Sequence, residues 1–133
     1  MSMYNLQQLK TDNGIIRTKS LFYELSYADP EFALFTLKEE DMVMPNGRPI
    51  VALSKLYLAF ATMDPTEYTF AISVFGSWEV WEKMQLTAPL KKPIEKWRRE
   101  ADVKRKSLAF ESVIKEVQEG GRSSYSAAKF LIN

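Results

Sequence analysis

Residues 49–86 read PIVALSKLYLAFATMDPTEYTFAISVFGSWEVWEKMQL. Three helical patterns follow one another here, divided by two punctuation points. The first is Asp64-Pro65-Thr66-Glu67. Asp64 suits an N-cap, Pro65 suits the first helical position, and Glu67 stands three after the cap, the spacing of a capping box. The second is Gly76-Ser77. Glycine accepts the left-handed conformation that ends a helix, and Ser77 can cap the next. Ile50, Leu53, Leu56, Tyr57, Phe60 and Met63 recur at three and four, predicting an amphipathic helix that ends near Met63. The second helix, 65–75, is expected to bury Tyr68, Ala71, Ile72 and Phe75. The third, 77–86, turns Trp78, Trp81 and either Val80 or Met84 inward. Helix, tight glycine turn, helix is the layout of a helix-turn-helix unit, although most short helix pairs in all-α domains bind nothing.

The outward face of 77–86 offers Glu79, Glu82, Lys83 and Gln85. Glutamates are repelled by the phosphates that line a DNA groove, which counts against docking by this helix alone. Lys83 and Gln85 stay as candidates, since glutamine reads adenine and lysine reaches guanine or phosphate.

Upstream, residues 1–20 are polar with an Asp12-Asn13-Gly14 turn signal, and read as a mobile arm or loop-rich lead-in. Leu21, Phe22, Leu25 and Ala28 make one apolar face of a short helix. Asp29-Pro30 ends it and opens a second turn, EFALF. Glu39-Glu40-Asp41 is an acidic cluster of a kind that can bind a divalent cation. Met42 and Val43 interrupt it without alternating ligand spacing, so it reads as solvated surface. Pro45-Asn46-Gly47-Arg48 is a strong turn that can close a very short hairpin between Met42-Val43-Met44 and Ile50-Val51. Pro49 equally suits the first turn of the following helix.

Downstream, Ala88-Pro89 and Lys92-Pro93 bracket a short linker, and a long polar helix runs from about Pro93 to Gln118. Ile94, Trp97, Ala101, Leu108, Val113 and Val117 form one broken apolar stripe; Val103, Phe110, Ile114 and Val117 form a second. Two stripes predict neighbours on two sides, as in a bundle or an oligomer. Trp97, Leu108, Phe110, Ile114 and Val117 are the expected oligomer contacts. Lys91, Lys92, Lys96, Arg98, Arg99, Lys104, Arg105 and Lys106 crowd the first half against Glu95, Glu100 and Asp102, so residues 91–106 carry +5. With Trp97 embedded, this is the best polyanion candidate in the chain; the competing reading is a solvated face with i,i+4 pairs such as Glu95–Arg99 and Glu100–Lys104. Gly120-Gly121 is a hinge, and Ser123 or Ser124 caps a last short helix, SYSAAKFLIN. Its apolar end at Phe130-Leu131-Ile132 suggests packing on the body or a partner, or continuation in a longer parent sequence.

The chain has 133 residues, enough for one domain, with 46% hydrophobic and 26% charged residues. It holds no cysteine and no histidine. That removes disulfides, zinc-thiolate sites, the commonest metal ligand and the commonest general base. Paired carboxylates such as Glu79 and Glu82 read as surface charge, and no glycine-rich phosphate loop occurs. A binding or assembly role is therefore expected, without catalysis, cofactor or metal. Net charge is +1, but residues 1–88 balance at −4 and residues 89–122 at +4. Such asymmetry suggests a polyanion surface on the basic half, or attraction between the halves. No secretory leader or membrane span is read.

The run DPTEYTFAISVFGSWEVWEKM (64–84), then KPIEKWRREADVKRKSLAF (92–110), then SSYSAAKFLIN (123–133), resembles small terminase subunits of tailed bacteriophages. The resemblance covers roughly residues 34–133 and rests on layout. It implies a non-catalytic packaging factor that binds double-stranded viral DNA and assembles as a homo-oligomeric ring. It also implies that the factor regulates the large terminase subunit in the cytoplasm of the infected host cell. The helix-turn-helix role falls on 65–86 and oligomerisation on 93–118. The helix 77–86 departs from the pattern in not being basic.

The expected architecture is all-α. It has an irregular N-terminal arm with short helices (1–48), a helix-turn-helix-like core (49–88), and a long basic helix with a short C-terminal helix (89–133). The whole forms one domain. The alternative function is a protein–protein adaptor without nucleic-acid binding.

Overall fold

The computed structural model describes residues 2–27 and 30–120. The last short helix, Gly121, Ala28 and Asp29 lie outside the described residues.

The turn Pro45-Asn46-Gly47-Arg48 closes a short hairpin. Gly47 takes φ +88°, the Gly47 N–H donates to the Met44 carbonyl and the Met44 N–H to the Arg48 carbonyl, each at 2.8 Å. The strands either side pair antiparallel: β2 (Met42–Val43) lies against β3 (Pro49–Ala52), with Met42 opposite Ile50. A further strand, β1 (Phe35–Thr36), pairs parallel with β3, Phe35 beside Val51. The sheet order is β1-β3-β2, so the fold is mostly helical but not all-α. Pro49 takes the first position of a strand, where its missing N–H costs least, instead of starting a helix. The EFALF segment, read as a helical turn, instead passes from a 3-10 turn at Pro30–Phe32 into β1. Strands of two to four residues are too short to print a period of two.

The N-terminal segment is not a free arm. Asn5 and Gln8 form a capping box around α1 (Leu6–Leu9), and Leu9 is fully buried. The Met3 and Tyr4 N–H groups donate to the Ser73 and Val74 carbonyls at 2.8 and 3.1 Å, near the end of the helix that follows Glu67. Those carbonyls would otherwise belong to the orphan acceptors of a helix C-terminus. The expected helix around 20–28 shrinks to a 3-10 turn at Tyr23–Leu25, while Leu21 and Phe22 enter the core and Phe22 bridges to Phe35.

Four further α-helices complete the described residues: α2 (Leu53–Ala61), α3 (Tyr68–Phe75), α4 (Trp78–Gln85) and α5 (Ala88–Glu119). Gly76 takes φ +70° and ends α3, so the glycine turn between α3 and α4 is present. The buried face of α3 is Phe70, Ala71, Val74 and Phe75, leaving Tyr68 and Ile72 outward. The helix YTFAISVF is apolar nearly all round, so periodicity could not choose its inner face. In α4, Val80, Trp81 and Met84 are buried while Trp78 lies at the surface. The expected linker at 88–93 is helical. Pro89 sits in the first turn of α5, where proline fits, and Pro93 lies inside the helix. At 32 residues, α5 is about 48 Å long.

The core is aromatic. Phe70 meets Trp81 edge to face at 4.8 Å, and Tyr57 lies 5.9 Å from both Trp81 and Trp97. Leu90, Ile94, Trp97 and Ala101 bury the first half of α5 against this cluster. Residues 106–112 are all exposed, so the second half of the helix leaves the body. Among the described residues, no helix is long and apolar enough to cross a membrane.

Candidate nucleic-acid interface

The eight cations of α5 between Lys91 and Lys106 divide into three groups by what they touch. Arg98 turns inward. Its Nε donates to Glu67 Oε2 at 2.8 Å, and its Nη2 donates to Glu67 Oε1 at 2.9 Å and to Gln85 Oε1 at 2.7 Å. Lys96, Lys104, Arg105 and Lys106 are held by acids: Glu39 at 3.2 Å, Glu100 at 3.8 Å, and Asp102 at 3.6 and 3.0 Å. Arg105 also donates to the Ala61 carbonyl at 2.6 Å, pinning α5 to the end of α2. Lys91, Lys92 and Arg99 are exposed and pair with no acid among the described residues. Lys92 and Arg99 stand seven apart, two helical turns along one face. The i,i+4 pair Glu100–Lys104 forms as expected, whereas no Glu95–Arg99 bridge occurs.

The two candidates on α4 fare differently. Gln85 is occupied by Arg98. Lys83 is exposed but shares its surface with Glu79 and Glu82, the latter accepting the Trp78 indole N–H at 2.9 Å. The exposed face of α4 is thus acidic, and the unpaired basic side chains Lys91, Lys92 and Arg99 belong to the first half of α5. Among the expected oligomer contacts, Trp97 is buried in the core, whereas Leu108, Phe110 and Ile114 are about half exposed and Val117 is partly covered.

No family model, curated protein or solved structure significantly matches this chain.

Glu67 is the residue that sequence reasoning misplaced. It was expected to reach back in a capping box. Its backbone instead adopts φ +70°, a left-handed conformation uncommon outside glycine, and its side chain points into the core. There its carboxylate accepts from Arg98, from the Tyr57 hydroxyl and from the Trp81 indole N–H at 3.2 Å. Burial alone would push the carboxyl upward; the bonds from Arg98, Tyr57 and Trp81 together outweigh this and leave it below the ordinary value. Burial, reinforced by the bond to Glu67, pushes the Tyr57 phenol up. Every acceptor site is matched by a donor, so this is a structural hub and not a reactive carboxylate. Nothing in the local sequence announces a partner thirty-one residues away.

Asp64 performs the capping. Its carboxylate accepts from the N–H and hydroxyl groups of Thr66 and Thr69, which hold it well below the usual carboxylate range. The helix starts at Tyr68, three residues later than the proline suggested. The acidic cluster 39–41 is dispersed: Glu39 binds Lys96, Glu40 binds Lys55 at 2.8 Å, and Asp41 accepts the Ala52 N–H at 2.8 Å. Among the described residues, no group of three acidic side chains converges for a metal.

Proposed function

We propose that this chain is a non-catalytic DNA-packaging subunit. It binds double-stranded viral DNA, assembles as a ring and regulates a large terminase subunit in the infected host cytoplasm. The observation that carries the reading is the unpaired basic face of α5, Lys91, Lys92 and Arg99, set on a helix that outruns the body. Unpaired lysine and arginine neutralise phosphates and release counterions, a sequence-independent attraction. Symmetric copies multiply a weak contact of this kind. Self-association is supported by the stripe Val103, Phe110, Ile114 and Val117, whose members recur at seven, four and three along the exposed half of α5. The packaging role and the large-subunit partner rest on the resemblance of the sequence.

The test is fluorescence anisotropy of a labelled duplex at increasing salt. Replacing Lys91, Lys92 and Arg99 by alanine should weaken binding and make the log–log salt slope shallower by about 2–3. Unchanged affinity and slope would overturn DNA binding by α5. Light scattering at low and high salt checks assembly: one large, defined mass supports the ring, and a monomer at all concentrations removes it.

A second reading, a protein–protein adaptor, draws on the exposed stack of Tyr68 and Trp78, 6.2 Å apart beside an acidic face. Surface aromatics are enriched at protein interfaces. A stoichiometric protein complex indifferent to DNA and salt would favour it.

A further inference from the structure

A cleft of about 590 Å³ opens between α2, the segment after β1 and the first half of α5. That volume is within the range of small-molecule sites, about 300–1,000 Å³. Its apolar wall comes from Leu37, Leu58 and Trp97. Ser54 and Trp97 both line it, and both are more than nine-tenths buried. Neither the Ser54 hydroxyl nor the Trp97 indole N–H has a hydrogen-bond partner among the described residues. No polar side-chain atom there is both sealed from solvent and unpartnered. These two groups are therefore not sealed from solvent, and the residues that carry them both line the cleft. The other two tryptophans are satisfied, Trp78 by Glu82 and Trp81 by Glu67.

The rim is cationic. Of the charged groups lining the cleft, Glu39 is held by Lys96, Glu100 by Lys104, and Lys55 by Glu40. Lys92 and Arg99 remain without acidic partners. Two unpartnered donors in the wall and two cations without acidic partners, against two carboxylates already paired to Lys96 and Lys104, make a site that favours negative charge. The apolar wall requires that the charge be carried on an organic body.

We infer that this cleft binds a small organic phosphate of mononucleotide size. The phosphate is taken by Lys92 and Arg99. The body lies against Leu37, Leu58 and Trp97, and its polar edge accepts from the Trp97 indole N–H and the Ser54 hydroxyl. This inference stands apart from DNA binding, although Lys92 and Arg99 serve both.

The experiment is a ¹H–¹⁵N NMR titration of the whole chain with deoxyadenosine monophosphate, following the three indole N–H resonances, assigned by single Trp→Phe variants. The Trp97 resonance should shift and saturate while that of Trp81 stays in place. Inorganic phosphate and deoxyadenosine, titrated separately, should each bind at least about tenfold more weakly, a loss of about 1.4 kcal/mol. Ser54→Ala should weaken the mononucleotide by a similar factor and leave duplex binding unchanged, which separates this site from the DNA surface. The fixed Trp81 resonance reports that the variant is folded. No saturating shift of Trp97 at millimolar ligand would overturn the inference. So would equal shifts from inorganic phosphate and the nucleotide, or Ser54→Ala binding as tightly as the parent chain.

Discussion

Arg98 grips Glu67 with two parallel bonds, Nε to Oε2 at 2.8 Å and Nη2 to Oε1 at 2.9 Å, joining α5 to the residue that immediately precedes α3. The Glu67 side chain is 9% exposed and that of Arg98 41%. A bidentate guanidinium–carboxylate pair is stronger and more directional than a lysine contact. Because Trp81 and Tyr57 share the same carboxylate, one residue ties α2, α3, α4 and α5 together.

Removing one partner should therefore cost more than removing both. Arg98→Met leaves a buried carboxylate without its counter-charge, and a loss of about 2–4 kcal/mol is expected, discounted because Arg98 is partly exposed. The double change Glu67→Gln with Arg98→Met should recover part of that loss. Urea unfolding of the four chains in a mutant cycle measures it. Strictly additive losses would mean that the pair does not act as a unit.

Acid should destabilise the fold through this same group. The folded-state pKa of Glu67 lies below its unfolded value, so its stabilisation is fully present above the unfolded pKa, about 4.3. It is lost as pH falls through the folded value. Asp64 acts in the same direction. The urea midpoint should fall between pH 5 and pH 3, less steeply in Glu67→Gln. A midpoint that does not move over that window would contradict this account.

Gly76 and Gly47 should respond differently to alanine. Both have positive φ, so both substitutions strain the backbone by about 1 kcal/mol. A Cβ at Gly47 meets nothing, whereas one at Gly76 falls 2.8 Å from Ser2 Oγ and 3.1 Å from Ser2 Cβ. Gly76→Ala should additionally loosen residues 2–4, of which Met3 and Tyr4 bond to α3 through their N–H groups. Hydrogen exchange at Met3 and Tyr4 reads this directly: faster in Gly76→Ala, unchanged in Gly47→Ala.

Phe110→Glu should lower the solution mass without lowering thermal stability. Phe110 is 51% exposed, on the half of α5 that leaves the body, so the core does not depend on it. A surface substitution of this kind changes folding stability by about 0.5 kcal/mol or less. Light scattering and a thermal melt on the same sample check both halves of the statement. A variant that melts early would place Phe110 in the fold instead.

Much of the helical frame was readable along the chain. The spacing through Leu53, Leu56 and Tyr57, the left-handed stop at Gly76, and the apolar sequence Ile94, Trp97, Ala101 each express a local rule of period or capping. Asp64 announced a cap, although its turn delays the helix by three residues. The crowding of lysine and arginine at 91–106 was equally plain.

What the linear pattern could not carry was pairing at a distance. The strand at Phe35 exists because Val51 lies beside it, and two residues are too few to print a period. Pro49 suited a helix start or a strand start, and only the hairpin partner at Met42 decided between them. Glu67 read as a capping-box partner and Arg98 as a phosphate contact, because a local sequence cannot say that a left-handed backbone turns one inward to meet the other. The same tertiary step left three of the eight cations at 91–106 unpaired, and brought Ser54 and Trp97 to the lining of one cleft. Local propensity wrote the helices of this protein; which charges are spent inside it and which face outward was decided by packing, since ion pairs depend on distance in space and not along the chain.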